Sequence, residues 1–202
     1  MKKREDPPKK REVPPEEEPL RADAARNRDR VLSVARKLLA HGDSSLQMNQ
    51  IARSAGVGVG TVYRHFPTRQ DLLEALVNEH LEALLEEARK GQESDDPRAG
   101  LQRFLRAVLA LQLADVGLAE VVNAPKDAQS RTSQLKAGLI GAIQRMLGRA
   151  QRAGVVRDDI GAEDIQRLMC GVEHAARIGS EPLALGERYL TILLEGLRPA
   201  SG

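Results

Sequence analysis

The sequence predicts an all-α protein of about nine helices, with a small three-helix unit at residues 23–70 and a larger helical body at 71–202. Three observations predict it. Leu, Ala, Arg and Glu are favoured, all good helix formers, whereas aromatic residues, which favour strands, make up only 2% of the chain. Apolar residues recur at the 3.6-residue helical period in every patterned segment. No apolar–polar alternation survives between turn signals, so no strand is expected.

Each element follows from local sequence. Residues 1–22 are expected to be a disordered, Pro-rich basic and acidic tail, with five prolines and twelve charges in the first twenty residues and too few apolar groups to build a core. From Asp23 the pattern turns helical, with Val31, Leu32, Val34, Ala35, Leu38 and Leu39 on one face and Gly42 as a stop. A second helix spans Met48 to Ala55, facing Met48, Ile51 and Ala52 inward, and Gly56 breaks it. A third runs from Gly58 to His65, where Pro67 prevents continuation. Thr68 and Asp71 have capping-box spacing and open a long fourth helix to about Lys90, the linker into the body. Gly91–Pro97 is the expected hinge. Beyond it, helical stripes are predicted at 101–115, 117–123, 129–153, 162–178 and 183–197.

Composition narrows the function. Hydrophobic residues make up 41% and charged residues 30%, so a sizeable core is possible. The four aromatics, Tyr63, Phe66, Phe104 and Tyr189, are too few for a base-stacking platform of the kind that binds single strands. Cys170 stands alone, so no internal disulfide is expected. No apolar run approaches the ~18 residues of a membrane span, and no secretory signal is visible, so a cytoplasmic location is expected. The net charge of +2 is unevenly spread: residues 21–69 carry +6 and residues 70–202 carry −4. A basic unit on a mildly acidic body suits a chain that meets a polyanion with one small part.

The informative stretch is Met48 to Phe66, MNQIARSAGVGVGTVYRHF. Two short helices about a turn at Gly56 read as a helix-turn-helix. In that unit the first helix braces across the DNA backbone. The second inserts its N-terminal residues into the major groove, about 12 Å wide. Gly58 and Gly60 keep the insertion point small, and Val59 suits a thymine methyl. Thr61 and Tyr63 supply hydroxyls, and Arg64 and His65 add donors. Phe66 reads as core.

These residues resemble the TetR family of one-component bacterial transcriptional regulators. The resemblance is carried by Ile51-Ala52, Ala55-Gly56-Val57, the run Gly60 to Phe66, and Arg69 with Leu72-Leu73. Weaker matches follow at Arg149 to Arg157, Asp158, Asp164 and Glu195-Gly196-Leu197-Arg198. Two departures stand out. Gln47 lies where the family often has Thr or Ser, and Gly58 lies where it often has a Ser cap. The resemblance implies that Asn49 and Arg64 read base edges, while Thr61, Tyr63, His65 and Arg69 fix phosphates. It also implies a homodimer on a palindromic double-stranded DNA operator. The last two helices would form the dimer seam through Ile165, Leu168, Met169 and Val172 with Leu190, Leu193, Leu194 and Leu197. A small, mainly apolar effector would sit among the middle helices, against Phe104, Val108, Gln112, Ile143, Met146, Leu147, Met169, Cys170, Glu173 and His174. A pocket of roughly 300–1,000 Å³ is expected there.

Other chemistry is not supported. The glycines from Gly56 to Gly60 lack the Lys and the preceding strand of a phosphate-binding loop. Cys170 and His174 are one helical turn apart, but two ligands make no metal site. No catalytic constellation stands out, so an enzyme, a metal and a cofactor are not expected. The rival reading is a helical DNA-binding architectural or adaptor module that takes no effector.

Overall fold

The structure, a computed structural model of the chain, describes residues 17–199, and every regular element among them is an α-helix. The helices are α1 (Glu17–Ala40), α2 (Met48–Ala55), α3 (Val59–His65), α4 (Arg69–Gln92), α5 (Pro97–Ala114), α6 (Val116–Asn123), α7 (Ser130–Arg152), α8 (Ala162–Arg177) and α9 (Pro182–Gly196). The expected disorder of residues 1–16 lies outside the described residues. Residues 17–22, assigned to the tail, are instead the start of α1. Pro19 falls in its first turn, where a missing N–H forfeits no helical bond.

Helices α1 to α3 close on one small core. Val31, Leu32 and Ala35 of α1 meet Met48, Ile51 and Ala52 of α2, with Val62 and Phe66 closing the third side. Gly56 ends α2 in the left-handed conformation, φ +63°, which costs glycine nothing. Leu46 is also left-handed, φ 46°, unusual for a branched side chain and held by its burial under α2. The capping box forms as predicted. The Thr68 hydroxyl accepts from the Asp71 N–H, and the Asp71 carboxylate accepts from the Thr68 N–H at 3.0 Å.

Helix α4 carries the chain into the body. Its buried stripe includes Leu72, Leu73, Leu76, Val77, Leu81 and Leu84 and packs on α5, α6 and α7, while α8 and α9 pair with each other against α5 and α7. The Glu74 carboxylate is fully buried on α4 and accepts from the backbone N–H groups of Ala128 (2.6 Å) and Gln129 (2.8 Å). Those groups lie just before α7, where a helix leaves donors without partners, so the anion is well placed.

The expected hinge at Gly91–Pro97 is a packed corner. A Cβ on Gly100 would stand 2.3 Å from the Gly91 carbonyl oxygen, so α4 and α5 meet backbone to backbone. Arg149 of α7 donates to the carbonyls of Gln92 and Ser94, and Asp96 caps α5 through the N–H of Arg98 at 2.9 Å.

Candidate DNA-binding face and apolar cavity

Helix α3 has two distinct sides. Val62 is buried, and Phe66, which follows the last turn, is buried with it. On the other side Gly58, Val59, Gly60, Tyr63 and Arg64 are exposed, with Thr61 and His65 half-buried at the edge. Val59 and Tyr63 stand out as large groups left 39% and 46% exposed on a helix that otherwise seals a core. Asn49 is exposed on neighbouring α2. Neither Gln47 nor Gly58 caps its helix with a side chain. The guanidinium of Arg28, on α1, lies 5.5 Å from the centre of the Phe66 ring and helps to fix α3. Sequence periodicity gave Arg28 no role, because the stacking joins residues far apart in the chain.

Arg69 departs from its expected place among the phosphate anchors. Its guanidinium makes a two-pronged pair with Glu120 of α6, at 2.5 and 2.9 Å. It also donates to the carbonyls of Ser44 (2.6 Å) and Ser45 (3.2 Å), in the turn just before Leu46. The hydrogen-bonded Glu120 carboxylate raises the pKa of Arg69 above its ordinary value. With these donors engaged, Arg69 braces the α1–α2 turn against α6.

A cavity of about 150 Å³ lies among α4, α5, α6, α7 and α8. Six of the ten expected effector residues line it: Phe104, Val108, Gln112, Ile143, Met169 and Cys170. The other four do not. Met146 and Leu147 are buried elsewhere, with the Met146 sulfur packed against Gly91. Glu173 pairs with Arg177, which donates to the Gln112 backbone carbonyl, and His174 is exposed. The cavity is also smaller than the expected range, because Phe104, Leu105 and Leu139 fill the space between the helices. Sequence reading missed Leu84, Val122, Asn123, Lys136 and Gln166 in its wall. The Lys136 ammonium is committed to the carbonyls of Val121 (3.0 Å) and Ala124 (3.1 Å) and to the Asp127 carboxylate (2.8 Å).

Residues 31–76 match the bacterial regulatory proteins of the tetR family, and residues 96–199, about half of the chain, match the transcriptional regulator SbtR-like C-terminal domain. The chain belongs to the TetR family. A TetR transcription regulatory protein from Mycobacterium vanbaalenii is 36% identical, with a TM-score of 0.50 over 89% of this chain and 99% of that one. The transcriptional regulator FadR from Bacillus subtilis, solved in complex with stearoyl-CoA, is 18% identical, with a TM-score of 0.60 over 84% of this chain and 98% of that one. That likeness is one of fold alone. An HTH-type transcriptional regulator from Staphylococcus aureus is 37% identical over 67 residues, so the match spans 33% of this chain and 36% of that curated relative.

In this TetR-family chain the α8–α9 pair does not expose the stripe expected as a seam. Ile165, Met169, Leu190, Leu194 and Leu197 are buried within the chain itself. Val172 and Leu193 are half-buried, and of the eight only Leu168 is exposed. The most apolar stripe of each helix covers the body, which has first claim on it. The large apolar groups left outside on these helices and their link are Leu168, Ile178, Leu183 and Ile192, at 46%, 76%, 67% and 62% exposure. Among the described residues no helix is long and apolar enough to cross a membrane.

Proposed function

We propose that this chain is a cytoplasmic DNA-binding repressor that sits as a homodimer on a palindromic operator and leaves it when a small, mainly apolar effector enters the cavity. The observation that carries the reading is the two-sidedness of α3, anchored through Val62 and Phe66 while Val59, Gly60, Tyr63 and Arg64 face outward. Asn49 and Arg64 read base edges, and Thr61, Tyr63 and His65 hold phosphates. The exposed Leu168, Ile178, Leu183 and Ile192 supply the dimer seam. Helix α6 connects cavity to DNA-binding unit. Val122 and Asn123 line the cavity, while Glu120 on the same helix grips Arg69 and, through it, the turn before α2. An effector that shifts α6 therefore changes how the two recognition helices meet half-sites about 34–36 Å apart.

The test joins assembly to DNA binding. DNA from upstream of the gene is expected to give a discrete gel-shift complex at physiological salt. Ile192→Glu is expected to sediment as a monomer and to bind that DNA on the order of 100-fold more weakly, as the second half-site contact is lost. Binding that ignores DNA sequence would instead mark an architectural protein.

A further inference from the structure

The cavity holds a buried polar group with nothing to bond. Gln112 is 2% exposed, it lines the cavity, and its Oε1 has no hydrogen-bond partner. Such an atom is costly, because it has given up water without replacement. The backbone that carries it is held in place, since Arg177, braced by the buried Glu173, donates to the Gln112 backbone carbonyl. We propose that the cavity takes a neutral, mainly apolar molecule about the size of a substituted benzene ring, docked on Gln112 by a hydroxyl or amide group. This rests on the reading of the cavity as the effector site.

Three properties narrow the ligand. The first is volume. The cavity measures about 150 Å³, and a dry apolar cavity of about that size takes benzene. The second is the polar handle. The oxygen and nitrogen of a glutamine amide can be exchanged without changing its shape. A hydroxyl or an amide both donates and accepts, so it satisfies Gln112 in either orientation. The third is charge. Lys136 is the charged residue in the described wall, and its ammonium already bonds Val121, Ala124 and Asp127. A carboxylate ligand would have to break that arrangement or enter without a counter-charge, which is expensive in a buried site.

Toluene, phenol and benzoate separate these properties with little change of size. Titration calorimetry on the full chain is expected to detect phenol and toluene, with benzoate the weakest. Gln112→Leu keeps the volume and removes the amide. The phenol-to-toluene affinity ratio is expected to fall about tenfold in this variant, the worth of one buried hydrogen bond. Ile143→Trp fills the cavity and should abolish binding of both. An unchanged ratio in Gln112→Leu would overturn the role of Gln112 while leaving the cavity as a binding site. Benzoate binding tighter than phenol would overturn the neutral class. Failure of all three probes to bind, or binding that survives Ile143→Trp, would remove the cavity itself from consideration.

Discussion

The α2–α3 face draws its proposed contacts from residues 49–65, whereas the cavity takes its wall from α4, α5, α6, α7 and α8. Their polar groups differ in the same way. On the face, Asn49, Tyr63 and Arg64 stand exposed to solvent. In the body around the cavity, the charged groups are engaged within the chain: Lys136 closes α6, Glu74 holds the turn before α7, and Arg177 holds the Gln112 backbone carbonyl, while Oε1 of Gln112 stays without a partner in the cavity wall. A surface for a large polyanion needs ready donors on a rigid support, and water satisfies them until DNA arrives. A mainly apolar cavity offers no such reserve, so a polar group in its wall is costly unless another group of the chain or a ligand bonds it. Substitution on the face should therefore read out in affinity, and substitution near the cavity in stability.

The largest effect is expected where that contrast is sharpest. Glu74→Ala strands the N–H groups of Ala128 and Gln129 and should lower unfolding free energy by about 2–4 kcal/mol, measured by urea denaturation. A variant as stable as the parent would show that this frame is not held by its buried carboxylate. Asn49→Ala comes next. It should leave the urea midpoint in place and relax preference at one base pair per half-site by about 1–3 kcal/mol. An unchanged binding profile would assign the readout to Arg64 or to DNA shape. The smallest effect is expected at the pair that joins the two regions. Arg69 and Glu120 are 35% and 46% exposed, so water screens them, and Glu120→Gln should cost less than about 1 kcal/mol. A loss well above that would make the pair a structural prop like Glu74.

The two regions were unequally legible in the sequence, for physical reasons. Gly56, Pro67 and the Thr68–Asp71 cap act on their own neighbours, so the bounds of α2, α3 and α4 could be read within a few residues. The outward residues of α3 came from the helix-turn-helix reading, which places the start of the second helix against DNA. Lys136 and Val122 offered no comparable signal, because their places in the wall depend on where α6 and α7 sit in the assembled body. Arg69 looked free because its partners, Ser44, Ser45 and Glu120, lie 24 to 51 residues away along the chain. The apolar stripes of α8 and α9 were expected to stay open for a second subunit for a related reason. Periodicity identifies an apolar stripe, but whether Leu194 meets its own body or a second subunit depends on what the rest of the chain leaves uncovered.

The contact of Gly91 with Gly100 gives α4 a fulcrum. The two backbones touch where any Cβ would collide, so that end of the helix has little room to slide. Arg69 sits at the opposite end of the 24-residue helix, and the 22 residues from Gly91 make a lever arm of about 33 Å at ~1.5 Å per residue. A tilt of about 5° at the glycines therefore carries the Arg69 end through about 3 Å, the length of a whole hydrogen bond.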